Sequence, residues 1–344
     1  MHLSSRPALK RVIALTLAIV ALTAIFWFTM IRMPGNSYRG PLPPLTPEQT
    51  RLRDELQRHV WRLAGEIGER HVFQPRQLHA AADYIEAELS QAGRPVVRQS
   101  FEVRGVLCHN LEIEIPGSAR PDEILVVGAH YDSVSGSPGA DDNASGVAAL
   151  LTLARRLAAQ PPARTLRLVA FANEEPPFFM TGEMGSLVYA RRCRERGDRI
   201  ALMLSLESLG YYASRPGSQR YPFPLGLFYP SRGDFIGFVG RTADAQWVRR
   251  CVKLFREHAR FPSEGGALPG WLPGVGWSDH WAFWQVGYPA VMITDTAIFR
   301  SPHYHAASDT PDQLDYDRFA RVVDGLGHVI SSLAATNGAG AAGQ

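Results

Sequence analysis

The stretch EILVVGAHYDSVSGSPGADDNASGVAALLTLARRLAAQPPARTLRLVAF, residues 123–171, decides the fold. Its opening run Ile124–Ala129 is short and apolar without alternation, the pattern of a strand covered on both faces. A polar loop follows, then a helix over Ser145–Ala159, then a second apolar run at Thr165–Phe171. Strand, helix and strand in this order make the unit of a parallel sheet, because parallel neighbours need a long crossover between them. Inside the loop, GADDNASG (139–146) sets two aspartates side by side between glycines, and their repulsion calls for a compensating cation.

Working outward, the alternation continues on both sides. Upstream, Thr46 reads as an N-cap, with Pro47 at the first helical position and Gln49 completing a capping box for a helix to about Leu63. A second amphipathic helix spans Pro75–Ala92 and stops at Gly93, and strands follow at Val96–Val103 and Asn110–Ile115. Downstream come a helix near Met184–Arg196, a strand at Ile200–Leu206, a helix at Ala245–Arg260 and a helix from about Asp279. A strand at Ala290–Thr294 and a helix at Tyr316–Ala335 complete the series. The expected fold is α/β: a three-layer αβα sandwich around a central mixed, mainly parallel sheet. Two stretches, 211–235 and 261–277, show no period and read as loops, with aromatic walls suited to an apolar side chain.

Composition agrees with one large domain: 344 residues, 45% apolar, and a formal charge of +3 without a long basic run, so nucleic acid is not an expected partner. Three cysteines, Cys108, Cys193 and Cys251, lack metal-site spacing. The N-terminus departs from this picture. Val12–Ile31 is an uncharged, mostly apolar run of 20 residues, which as a helix rises about 30 Å, the thickness of a bilayer's hydrocarbon. Arg6, Lys10 and Arg11 before it favour a cytoplasmic N-terminus, and Phe26, Trp27 and Phe28 stand where a cleaved signal would carry small residues. The expected organisation is a cytoplasmic segment 1–11, a signal anchor 12–31 that holds the body on the extracytoplasmic side, a proline-rich linker 32–46, a catalytic domain 47–337 and a tail 338–344. A cleaved, exported form is the alternative.

Ligands in such folds gather at the carboxyl ends of the strands. Here one strand runs into His130, Tyr131 and Asp132, another into Asn173, Glu174 and Glu175, and a third into Glu207. The loop SPHYHAASDT adds His303, His305 and Asp309. Histidines and carboxylates without clustered cysteine suit zinc or another divalent first-row ion.

Six segments carry a resemblance. GAHYDSV (128–134), GADDNASG (139–146), FANEE (171–175) with EMGS (183–186), LSLESLGYY (204–212), SDHWAFWQVGYPA (278–290) and YHAASDT (304–310) are similar, in that order, to the signature segments of the zinc-dependent aminopeptidase family of metallopeptidase clan MH. Relatives there include glutaminyl cyclases and glutamate carboxypeptidases. The resemblance covers about Pro75 to Ala335 and is nearest to bacterial membrane-anchored or exported members. It implies a di-zinc aminopeptidase acting on peptides with a free N-terminus. His130 and Glu207 would hold one zinc, Glu175 and His305 the other, and Asp142 would bridge both, with a cis peptide between Asp142 and Asn143. Asp132 would orient the His130 imidazole, Glu174 would act as general base and Tyr304 would bind the developing oxyanion. Glu207 stands where the family commonly has Asp. Asp279 is read as a helix cap or pocket wall, His303 as a bystander, Asp309 as a support for its loop and Asp141 as the less essential aspartate. A one-zinc glutaminyl cyclase and a catalytically silent binding ectodomain are the rival readings. The intact NASG and the complete donor set speak against both.

Overall fold

The computed structural model describes residues 6–159 and 161–335; the expected tail 338–344 and residues 1–5 lie outside them. In chain order the helices and strands are α1 (Arg6–Phe26), α2 (Pro47–Val60), α3 (Pro75–Ser90), β1 (Val96–Val103), β2 (Val106–Ile115), β3 (Arg120–His130), α4 (Gly146–Ala158) and β4 (Arg164–Phe171). They continue with α5 (Gly185–Glu195), β5 (Arg199–Glu207), β6 (Ile236–Arg241), α6 (Ala245–His258), β7 (Ser263–Leu268), α7 (His280–Gln285), β8 (Ala290–Thr294) and α8 (Tyr316–Ala335). The capping box at α2 is formed: Gln49 N–H donates to Thr46 Oγ1 at 3.1 Å, and Thr46 N–H to Gln49 Oε1 at 3.2 Å.

All eight strands join one sheet in the order β1-β2-β4-β3-β5-β8-β6-β7. The pairs β4/β3, β3/β5, β5/β8 and β6/β7 are parallel, and β1/β2, β2/β4 and β8/β6 antiparallel. The sheet is mixed and mainly parallel by this narrow margin. Its two faces bury different residues of the same strand. In β3, Leu125, Val127 and Ala129 join the core beneath α2, α3, α4, α6 and α8, whereas Ile124 and Val126 join the one beneath α5 and α7. That division explains why β3 reads as an unbroken apolar run: neither face is left for polar side chains.

Strand β7 lies inside the stretch 261–277 that the sequence pattern leaves as loop, and β6 lies where the pattern assigns no element. IGFVGR and SEGGAL carry glycines where β-branched residues would announce a strand. At Gly265 the reason is contact: a Cβ there would come within 2.9 Å of Met33 and 2.8 Å of Val252. The sheet admits the linker and α6 only because that residue has no side chain.

At the N-terminus, α1 continues into a wider turn at Trp27–Ile31. Leu9–Ile31 forms a helix long and apolar enough to cross a membrane, and none of its most apolar window is buried in the body.

Candidate metal centre

Three adjacent parallel strands deliver their ends to one edge of the sheet. His130 closes β3 and pairs in register with Phe171, the last residue of β4, so the segment Asn173–Glu175 leaves the sheet directly beside it. Glu207 closes β5 on the other side of β3. The loops 139–146 and 301–310 cross the same edge. Asp309 fastens them together: its Oδ1 accepts the N–H of Asp141 at 2.9 Å and its Oδ2 that of Asp142 at 3.2 Å. Asp309 thus supports a loop, as expected, but the loop is the distant GADDNASG.

The candidate donors form two overlapping groups that share Asp142, and His130, Glu174 and Glu175 form a third. His130 Nε2 lies 3.3 Å from Asp142 Oδ1 and 3.3 Å from Glu207 Oε2. His305 Nε2 lies 3.2 Å from Asp142 Oδ2 and 3.1 Å from Glu175 Oε2. Asp142 therefore turns one oxygen to each histidine. Both sets, His130/Asp142/Glu207 and Asp142/Glu175/His305, present atoms close enough for one ion to span. Glu174 stands beside them, with Oε2 3.9 Å from His130 Nε2.

This cluster lacks ordinary partners. His130 Nε2, Asp142 Oδ1, Glu175 Oε1 and His305 Nε2 are buried without a hydrogen bond, a state that costs on the order of 1–3 kcal/mol for each group and more for charged ones. Two cations would satisfy all four atoms at once, and imidazole with carboxylate is a donor set that Zn²⁺ accepts. The electrostatics of the protein atoms alone point the same way. Burial pushes Glu175 up to about 8, with the Asp142 charge adding to it and His305 opposing. Burial likewise pushes Glu174 well above the usual range, and neighbouring carboxylates reinforce this against His130. Burial would raise Asp142 too, yet His130 and His305 outweigh it and hold its carboxyl below the usual range.

The scaffold around the donors is specific. Asp132 was expected to orient His130, but its carboxylate is 3.6 Å from Nδ1 while its backbone carbonyl is 3.3 Å away. The carboxylate also accepts the N–H of Glu174 at 3.0 Å and that of Glu175 at 3.1 Å. Glu207 is held at both oxygens. Ser208 Oγ donates to Oε1 at 2.9 Å and Ser278 Oγ to Oε2 at 2.7 Å. Asn173, Ser208 and His305 all have left-handed backbone, with φ of 59°, 48° and 56°, conformations that cost non-glycine residues energy and collect at functional sites. The Asp142–Asn143 peptide is cis.

Other residues fall around the cluster. Asp279 precedes α7 but its side chain makes no capping bond. It is fully buried, and its two oxygens lack hydrogen bonds. Burial raises it to about 7, offset in part by His130 and increased by Glu207 and Asp132. Tyr304 stacks on the His305 ring at 3.9 Å and lines, with Glu207, a pocket walled by Tyr221, Phe235, Phe238 and Phe299. His303 bonds Ser308 through Nδ1 and stays outside the cluster. Asp141 is buried and accepts the N–H of Gly210 at 2.8 Å. Arg70 went unnoticed in sequence. Its buried guanidinium donates to the carbonyls of Tyr131 at 2.6 Å and Gly139 at 2.8 Å, strapping both ends of the loop between His130 and Asp142.

A parallel-strand edge that gathers histidines and carboxylates into overlapping groups able to hold a metal ion has the makings of a metal-dependent enzyme. The chain belongs to peptidase family M28, whose profile matches residues 110–330. It is 40% identical over 292 residues to the protein named "Uncharacterized protein YfbL" of Escherichia coli K12, covering 82% of this chain and 88% of that one. Leucine aminopeptidase 1 of Arthroderma otae is 26% identical over 223 residues, 61% of this chain and 53% of the relative. This chain thus spans about half the length of that relative. Two solved structures share the fold. A zinc aminopeptidase from Bacillus subtilis superposes with a TM-score of 0.68 at 14% identity, over 83% of this chain and 95% of the other. A glutaminyl cyclase from Bacteroides thetaiotaomicron gives 0.62 at 17% identity, over 81% and 97%.

Proposed function

We propose that this chain is a zinc aminopeptidase that hydrolyses the first peptide bond of peptides with a free N-terminus, using two Zn²⁺ ions. The observation that carries the reading is the placement of Asp142, one oxygen towards His130 and the other towards His305. His130, Asp142 and Glu207 would hold one ion, and Asp142, Glu175 and His305 the other. Zn²⁺ bound there supplies Lewis acidity that lowers the pKa of a coordinated water towards neutrality.

The chain's own groups do the rest. Glu174, buried beside the donors, takes the proton of the attacking water and hands it to the departing amine. Asp132 fixes the backbone of both glutamates, so base and ligand keep their separate directions. Tyr304 directs its hydroxyl to the oxyanion that forms at the scissile carbonyl. The carboxylates gathered at this edge suit the substrate's ammonium group. The aromatic pocket beside Glu207 and Tyr304 receives an apolar N-terminal side chain.

The helix Leu9–Ile31 is proposed to span a membrane with the peptidase body on the extracytoplasmic side. Resistance of the full chain to alkaline extraction from membranes, and protease accessibility of the body from outside the cell, test that placement.

The deciding assay offers the purified protein aminoacyl anilides and N-terminal glutaminyl peptides. Anilide hydrolysis that chelator abolishes and Zn²⁺ restores is expected. Ammonia release from the glutaminyl peptides without anilide hydrolysis would identify a cyclase instead, and turnover indifferent to chelator would overturn the reading.

A further inference from the structure

The junction between α1 and the body is built, not slack. Phe26 and Trp27 lie 5.5 Å and 5.9 Å, ring to ring, from Phe228. Arg249 donates to the carbonyls of Phe28 and Thr29, and Arg256 to those of Pro34 at 3.0 Å and Gly35 at 3.1 Å. Ile31 is buried. Counted from Val12, a helix of 20 residues rises about 30 Å, so Phe26 and Trp27 fall in the last turns of a membrane span, at the depth where aromatic side chains meet headgroups. Phe228 is held at the same level.

Phe228 ends a compact turn. Leu225 N–H bonds Pro222 O, Leu227 N–H bonds Pro224 O, and Phe228 N–H bonds Leu225 O. Leu225 points into the core, while Phe223 is 88% and Leu227 76% exposed. A second turn, Pro269–Val275, closes through Leu272 N–H to Pro269 O and Val275 N–H to Leu272 O, and leaves Trp271 82% exposed. Leu225, Phe228, Leu272 and Val275 belong to one apolar cluster with Phe26, Met30 and Ile31. Both turns also wall the pocket next to Glu207. Single exposed apolar residues are ordinary. Here, among the described residues, the three most exposed large apolar side chains share two turns of the cluster that receives the helix.

We propose that Phe223, Leu227 and Trp271 insert into the lipid surface beside the exit of α1, so that the substrate pocket opens at the membrane and takes peptide N-termini lying on it. The inference rests on α1 spanning the bilayer. Lipid would remove these three apolar side chains from water, which adds to the fixed junction with α1 in holding the body against the bilayer.

The test uses the full chain in phosphatidylcholine nanodiscs, with an environment-sensitive fluorophore on one introduced cysteine and a doxyl quencher on the lipid chains. The native Cys108, Cys193 and Cys251 are buried, and labelling of the parent chain sets the background. Phe223→Cys, Leu227→Cys and Trp271→Cys carry the probe to the rim. Ile19→Cys reports the span, and Leu107→Cys, exposed on the distant β1–β2 hairpin, is the aqueous control. Emission from positions 223, 227 and 271 is expected to fall by about two-fold or more relative to 107, as for side chains lodged among lipid headgroups and acyl chains. Quenching at 19, with 223, 227 and 271 behaving like 107, overturns the rim and leaves the span standing. Absence of quenching at both 19 and the rim overturns the two together.

Discussion

Asp132 grips the backbone of Glu174: its Oδ1 accepts that residue's N–H at 3.0 Å while its Oδ2 accepts the next N–H at 3.1 Å. A carboxylate bonded in this way fixes the peptide from which base and ligand diverge. Asp132→Ala strands two buried donors, and a loss of about 2–5 kcal/mol is expected in urea unfolding of the metal-free protein. Zinc affinity should fall roughly 10- to 100-fold, as for partners that position metal ligands. Unchanged stability and unchanged zinc affinity would remove Asp132 from this role.

Glu174→Gln keeps the shape of the side chain and removes the base. Turnover of aminoacyl anilides should fall by about 10²- to 10⁴-fold, with zinc content and KM little altered. Full activity in this variant would exclude Glu174 as the proton carrier.

The adjacent aspartates should separate cleanly. Asp142→Ala leaves His130 and His305 without the carboxylate between them, and elemental analysis should show less than one zinc per chain where the parent binds about two. Asp141→Asn should keep its zinc, because Asp141 bonds Gly210 rather than the histidines. Equal losses in both variants would contradict the bridging assignment. Removing zinc from the parent chain should lower its melting temperature, with recovery that follows zinc concentration.

His59 links stability to pH away from the metal centre. It is buried, with Nδ1 2.7 Å from the Tyr84 hydroxyl, and burial, aided by Arg58, lowers it to about 4. Folded His59 therefore stays neutral while the unfolded chain takes up a proton below about 6.5. Its contribution is present above 6.5, is lost as pH falls from 6.5 to 4, and changes no further below 4. That loss amounts to about 3 kcal/mol at most. His59→Gln should flatten this part of the stability curve in the zinc-loaded protein; a parallel curve would show that His59 does not titrate differently in the two states.

The fold was legible where both faces of a strand are buried, since β3, β4 and β5 then read as apolar runs ending in His130, Glu174–Glu175 and Glu207. The α2 cap was legible because Thr46 and Gln49 are local partners. Strands β6 and β7 were not, because close packing required glycine at positions such as Gly265 and erased the strand signal. The donors His130, Asp142, Glu175, Glu207 and His305 could be picked out by motif, and the structure brings them together. Their supports could not: Arg70 reaches Tyr131 and Gly139 across 61 and 69 residues, and Ser278 reaches Glu207 across 71. Asp279 resembled a helix cap by position, and only its burial beside the cluster shows otherwise.

Asp309 holds Asp141 and Asp142 from 168 and 167 residues away, and His305 lies just before it. His305 and the tie that seats Asp142 thus follow His130, Asp142 and Glu207 in the order of translation. A nascent chain that ends between Glu207 and His305 has His130, Asp142 and Glu207 but neither His305 nor the Asp309 tie. The proposed centre can therefore close only after translation has passed Asp309 and that segment has folded back onto GADDNASG.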